Sequence, residues 1–277
     1  MTDRSANPGR RAAVPRRSVG WAGWLKLHPN LVRAASVTLF FLWWEYAGRD
    51  MNPLFMTYPS AIIRAGWGLI ANGELPHAFL ASLLPFSIGL VISILLGIAI
   101  GVIIGQFWFV EYALDPFINA LYAIPRVALI PLIILWAGLE DTGKVVIIVS
   151  VAIFPVIVNT YSGIKDVRGS LIEIGRAYGA TGPQIFAKII LPASVPYIMA
   201  GVRLAVGMAI IGIIVAEFFT AITGLGGEIV LYANNFATAK LFVPIIVIGA
   251  LGIGLSEAVA HIERRLSGWR VSERERF

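Results

Sequence analysis

The residues that could do chemistry in this chain are few, and their spacing narrows what that chemistry is. Gly138-Leu-Glu-Asp-Thr-Gly143-Lys144 has the G-x-x-x-x-G-K spacing of a phosphate-binding loop. Position 145 is Val145, so the hydroxyl that would hold magnesium is missing, and no strand pattern precedes the motif. His28, His77 and His261 stand far apart and give no metal-ligand spacing. There is no cysteine, hence no thiol nucleophile, disulfide framework or Cys-based zinc site. No Ser-His-Asp or paired-carboxylate arrangement can be defended. The expectation is a chain with no catalytic residues, no metal and no cofactor of its own. What remains is charge set inside apolar runs: Arg126, Arg203 and Glu217. Such charges are costly in a bilayer and face a bundle interior or water. The two arginines are the cationic candidates for an anion translocation pathway. Arg203 also fits a side chain snorkelling to the membrane interface, and Arg126 a structural ion pair with Asp115 or Glu217. Glu217 could pair with an arginine or cap a re-entrant turn.

One polar stretch, Gly163 to Pro192, lies between two long apolar runs and reads as two short helices broken at a turn. Ser170 is a candidate N-cap for the first. Leu171, Ile174 and Tyr178 fall on one face at helical spacing, and Gly179 suits the left-handed residue that closes a helix. Thr181 is an N-cap candidate for the second helix, and Pro183 suits its first turn. Ile185, Phe186, Ile189 and Ile190 give that helix an apolar side, and Pro192 restarts the chain into the next span. The stretch is polar enough to leave a bilayer and apolar enough to need a partner surface.

The elements around these residues are membrane helices. The 277 residues are 58% hydrophobic and 14% charged, too apolar for one water-facing domain, with apolar runs that reach the length needed to cross a bilayer. The reading is an all-α polytopic membrane protein with six transmembrane helices in residues 31–260. They cover about 31–47, 78–105, 112–136, 145–161, 193–220 and 241–259. A basic tail (1–30) precedes them and another (261–277) follows. Pro116, Pro125 and Pro131 should break the third span. Residues 59–75 read as an amphipathic helix at the outer surface, capped by Ser60 and carrying Ile63, Trp67 and Ile70 on one side. The second span carries a ladder of small residues, Gly89, Ser93, Gly97, Gly101 and Gly105, which predicts a close helix contact. Lys and Arg placement sets orientation. With both termini in the cytoplasm, sixteen basic residues lie inside and only Arg49, Arg64, Lys144 and Lys240 outside. The net charge of +6 is thus a topology signal, and no nucleic-acid partner is expected.

Glu173-Ile174-Gly175, then Gly179, then Ile189 and Leu191-Pro192, resembles the EAA loop of permease subunits of ATP-binding-cassette importers. Glu173 and Gly179 keep that loop's Glu-to-Gly spacing. Ile174 and Gly175 stand where the family has alanines, and Gly175 costs roughly 1 kcal/mol of helix propensity. The stretches around Ile124–Lys144, Phe154–Val167 and Ala216–Ile229 are similar to the branch serving nitrate, sulfonate, taurine and bicarbonate importers, which also includes importers of thiamine precursors. The resemblance implies a type I ABC importer permease fold in a bacterial inner membrane, with the 163–192 loop as cytoplasmic coupling helix. Its implied contact residues are Glu173, Ile174, Gly175, Ala177, Tyr178, Gly179, Ala180 and Thr181. It implies a permease homodimer, an ABC ATPase dimer that holds the ATP and magnesium, and an extracytoplasmic substrate-binding protein. The substrate would be a small anion or a small heterocycle. A stand-alone secondary transporter and a membrane scaffold are the competing classes, but no inverted repeat is visible for the first.

Overall fold

The structure is a computed structural model and describes residues 29–220 and 223–266. The basic tails beyond those limits, with His28, lie outside the described residues. All regular structure among them is helical. In chain order, α1 spans Pro29–Arg49, α2 Pro59–Ala71, α3 Glu74–Gln106 and α4 Trp108–Ala123. A 3-10 turn at Arg126–Leu129 leads into α5 (Ile130–Ala137), followed by α6 (Asp141–Lys165) and α7 (Gly169–Ala177). Next, α8 (Gly182–Ile185) passes through a π-helical turn, Phe186–Ile190, into α9 (Leu191–Phe219). The chain closes with α10 (Gly224–Asn234) and α11 (Thr238–Leu266). Among the described residues four helices are long and apolar enough to cross a membrane: α3, α6, the continuous Gly182–Phe219 helix and α11. This is an all-α, multi-pass membrane protein.

The core is built on α6. Along α3, a Cβ added at Gly89, Gly97, Gly101 or Gly105 would lie 2.6–2.9 Å from side-chain atoms of Ile148, Val156, Thr160 and Ile164 respectively. Each partner sits equally far along the chain from its glycine, so α3 and α6 run parallel and in register. Ser93 completes the ladder, fully buried, its hydroxyl donating to the Gly89 carbonyl at 2.7 Å. On another side α6 meets α9 through Gly163 against Tyr197, Gly201 against Asn159, and Gly212 against Val151 and Ile148. Those pairs advance in opposite directions, so α9 is antiparallel to α6. Backbone approach of this kind gives dispersion contact where lipid provides no hydrophobic drive. Phe86, Ile148, Ala152, Val156, Val206 and Ala209 fill the shared interior.

Several sequence expectations need correction. The third span is interrupted once, at Ile124–Pro125, where the backbone turns extended because a residue before proline avoids the helical region. Pro116 stays inside α4, and Pro131 sits in the first turn of α5, where no N–H is missed. The fifth span starts earlier than expected. Pro192 does not restart the chain; the helix runs on from Gly182, and the Leu191 N–H reaches back to the Phe186 carbonyl. The wider π turn ends at Ile190, one residue short of Pro192, which lacks a donor. Ser60 does not cap α2, whose N-cap is Tyr58. The cap comes from α1: the Glu45 carboxylate accepts the Ser60 N–H at 2.9 Å and the Ser60 hydroxyl at 2.7 Å. Ile62 and Leu69 are the core face of α2, and Ile63, Trp67 and Ile70 form an exposed stripe beside it. The segment between the expected fifth and sixth spans contains the helix α10.

Candidate functional site

The loop between α6 and α9 is built by local chemistry. α7 has Arg168 as its N-cap, not Ser170, which falls inside the helix. It ends in a Schellman motif: the Gly179 N–H donates to the Arg176 carbonyl at 2.9 Å and the Ala180 N–H to the Gly175 carbonyl at 3.0 Å. Gly179 has φ +75°, a left-handed backbone that a Cβ would strain. Thr181 then starts α8 with a capping box, its N–H bonded to the Gln184 side chain at 2.9 Å. Pro183 occupies the first turn of that helix.

Only one edge of α7 is covered. Gly175 is buried, and a Cβ there would meet Ile189 Cδ1 at 2.8 Å and Ile185 Cγ1 at 3.3 Å. α7 thus lies close against the α8–π segment at Gly175, where an alanine Cβ would require those isoleucine side chains to shift. The rest points outward. Leu171, Ile174 and Tyr178 are 42%, 53% and 89% exposed, one apolar stripe along the helix. Glu173, Ala177, Gly179 and Thr181 are also exposed, and Ala180 is half-buried.

The three charges singled out within the spans have separate surroundings. Arg126 opens the 3-10 turn after the break, its guanidinium carbon 4.5 Å from the centroid of the Phe154 ring on α6. Arg203 pairs with Glu263 of α11, and both side chains are partly exposed. Glu217, 1% exposed, faces the first turn of α10. Its Oε2 accepts the Gly226 N–H at 2.7 Å, and its Oε1 accepts the Ser82 hydroxyl at 2.6 Å. Ser82 in turn accepts the Leu225 N–H at 2.8 Å. Glu217 is thus a helix cap delivered from another helix, one of the two roles the sequence left open. A Cβ at Gly224 would lie 2.0 Å from Glu217 Oε1, so only glycine fits against the carboxylate.

The phosphate-loop look-alike is now explained. Gly143 and Lys144 belong to the first turn of α6. A Cβ at Gly143 would fall 2.1 Å from the Gly138 carbonyl oxygen. Lys144 is 4% exposed, and its Nζ donates to Asp141 Oδ1 and Thr223 Oγ1, each at 3.1 Å. Among the described residues no cluster of three metal-type ligands occurs. Near α10, burial and then the Glu74 carboxylate push the Glu228 carboxyl above the usual range. The Tyr232 hydroxyl donates to Glu74 at 3.1 Å and ties α10 to α3.

Sequence reading missed Ser82 and Phe154. Ser82 had a signal: it lies two turns before Gly89 on the same face of α3. Phe154 had none, because its partner is set by the fold.

Comparison with known proteins agrees with this geometry. Residues 93–268 match the family model described as "Binding-protein-dependent transport system inner membrane component". The chain is 33% identical over 254 residues to the aliphatic sulfonates transport permease protein SsuC of Bacillus subtilis (strain 168), covering 90% of this chain and 89% of that one. It is 34% identical to the formylaminopyrimidine transport permease protein ThiX of Halalkalibacterium halodurans, over 86% of this chain and 97% of that one. In fold it resembles a chain of the inward-facing MetNI methionine ABC transporter, with TM-score 0.60 and 19% identity over 69% of this chain and 95% of that one. An interrupted bundle around α6, an exposed loop helix and a matching family model lead to one conclusion: this chain belongs to the family of binding-protein-dependent transport system inner membrane components.

Proposed function

We propose that the chain is the translocating subunit of an ATP-driven importer for a small anionic solute of the sulfonate class, delivered by an extracytoplasmic binding protein. The observation that carries this reading is α7. It presents Leu171, Ile174 and Tyr178 to the surroundings on a helix whose position is fixed at Gly175 and whose end is fixed at Gly179. An apolar stripe held away from its own protein needs a partner, and an ATPase groove of the kind this family uses fits it. Glu173, exposed beside the stripe, would orient the docking by pairing with a basic group. In this reading α1 and the interrupted α4–α5 unit bring the four long apolar helices to six spans, and a second copy of the chain completes the pathway. The sixteen-to-four distribution of basic residues supports a plasma membrane setting with both termini, and this loop, in the cytoplasm. Arg126, at the only break in its span, is the candidate contact for the solute's charge. Arg203, engaged with Glu263, and Glu217, engaged with α10, support the bundle instead.

Glu173→Lys and Gly179→Val test the reading. Both lie outside the spans, so permease levels stay normal while the ATPase no longer co-purifies and uptake is lost. Removing one partner of a buried charge pair costs about 2–5 kcal/mol. Full ATPase association and uptake in both variants would remove the reading's main support. A second substrate reading, a small heterocycle, is favoured by the likeness to a formylaminopyrimidine permease. Uptake across a panel of alkanesulfonates and formylaminopyrimidine separates the two.

A further inference from the structure

The root of the coupling loop holds a polar contact that joins it to the interrupted span. α6 ends at Lys165, and the loop begins at Asp166. In the last turns of α6, Tyr161 and Lys165 are four residues apart and share a face. Both grip one carboxylate, that of Glu111 in the first turn of α4. The Tyr161 hydroxyl donates to Glu111 Oε1 at 2.7 Å, and Lys165 Nζ pairs with Glu111 Oε2. Asp166, next in the chain, accepts a hydrogen bond from Tyr197 of α9.

These contacts differ in what they fix. α6 and α9 already interlock along their length, so the Asp166–Tyr197 bond adds little to their relative position. α4 is different. It joins α3 through the single residue Phe107, and Trp108, Phe109, Tyr112 and Phe117 on it are exposed. Its first turn is tied to α6 by Glu111. Just past its last turn, across the break at Pro125, Arg126 meets α6 again at Phe154. From Glu111 to Ala123 the helix is about 18 Å long at ~1.5 Å per residue. Pro116 lies between these points and leaves the helix without one backbone hydrogen bond but does not end it, so the Glu111 end stays connected through a single helix to the break that carries Arg126.

We propose that Glu111 is the positioning residue that passes movement of the coupling loop to the interrupted span, through Tyr161 and Lys165, and so sets where Arg126 stands. The proposal rests on the reading of the loop as the ATPase-docking element. Glu111 in its assigned role acts through Tyr161 and Lys165, without contact to ATPase or solute. Its loss leaves the complex assembled but frees the first turn of α4 from the end of α6, so hydrolysis and transport separate.

The test uses the complete transporter, reconstituted with its ATPase and binding protein, and measures solute moved per ATP hydrolysed. Glu111→Lys and Lys165→Glu each place like charges together, while the double variant restores an opposite pair in reversed order. Glu111→Gln and Tyr161→Phe are milder changes that keep shape. The expected result is unchanged ATPase co-purification and basal hydrolysis in every variant. Transport per ATP should fall at least about fivefold in the two charge reversals, the lower range of coupling between distant sites. It should fall less in Glu111→Gln and Tyr161→Phe, and the double variant should recover most of the loss. Normal transport per ATP in both reversals, or a double variant no better than the worse single one, overturns the proposal. Loss of ATPase association in all variants also overturns it, since that is a structural role. Failure of the docking reading shows separately, as a wild-type permease that neither binds the ATPase nor transports.

Discussion

At the scale of residues, Glu217 shows how a charge within an apolar helix can serve structure. It stands 1% exposed and, with Ser82, satisfies donors in the first turn of α10. The early N–H groups of a helix have no partner inside that helix, and in an apolar setting they cannot turn to water. Glu217→Ala removes the acceptor of the Gly226 N–H and of the Ser82 hydroxyl. Each buried group left unsatisfied costs about 1–3 kcal/mol. The expected outcome is a clear drop in thermal stability of the purified protein, with Glu217→Gln intermediate because its amide oxygen still accepts. Thermal unfolding followed for the three proteins side by side checks this, and coincident curves would refute the capping role. Gly175 carries a related lesson. Its cost in helix propensity comes with close contact to Ile185 and Ile189, whose side chains would have to shift to make room for an alanine Cβ.

At the scale of elements, the α3–α6 pair organises the fold. The small-residue ladder matters because its spacing matches a second ladder, Ile148, Ala152, Val156, Thr160 and Ile164, on the facing helix. A side chain at Gly101 would drive into Thr160 Cβ at 2.7 Å and the Ile157 carbonyl at 2.8 Å. Both are held by helix backbone and cannot give way as a flexible chain end can. Gly101→Leu should therefore reduce yield and folded fraction much more than Ile100→Leu, which alters the shape of a half-buried neighbour without adding bulk to the ladder. Overpacking of a tight core costs about 1–3 kcal/mol, and displacement of two parallel helices adds to it. Equal yield and equal resistance to thermal aggregation in the two variants would remove the ladder from the account. The same pair bears on the coupling role proposed for the loop. α7 follows directly from α6, so whatever moves α7 acts on the helix at the centre of the bundle.

At the scale of the whole molecule, the bundle has two ends of different character. One carries Lys165 at the end of α6 and the α6–α9 loop with Arg168, Arg176 and Lys188. The other carries α2 and α10, each capped at its N-terminus by a carboxylate from a longer helix, Glu45 and Glu217 respectively. Both short helices pack against α11 through a second core of Ile62, Leu69, Leu225, Tyr232 and Val243. The expected orientation puts the coupling loop and both termini in the cytoplasm. A reporter active only outside the cytoplasm, fused after Phe277, should be silent, and a cytoplasmic reporter there should be active. The reverse pattern would contradict the orientation and, with it, access of the loop to an ATPase.

Much of this was legible in the chain itself. Apolar run length determines which segments are helices in a membrane, because unpaired backbone groups are prohibitively costly in lipid. The Gly179 and Thr181 turn was readable because left-handed backbone and capping chemistry are local properties of a few residues. The Gly89–Gly105 ladder was readable as a contact surface for the same reason. Its partner was not, since nothing in the ladder says whether α6 or α9 lies against it. Ser170 and Ser60 were misassigned because a serine's capping power depends on where the helix starts. In α2 that point is served by Glu45, fifteen residues earlier in the chain. The surroundings of Arg126, Arg203 and Glu217 separated only once the helices were packed. An ionisable group in a membrane bundle takes its role from whichever partner is brought within hydrogen-bonding reach. That choice is made by helix register and crossing, long-range properties that composition and spacing do not encode.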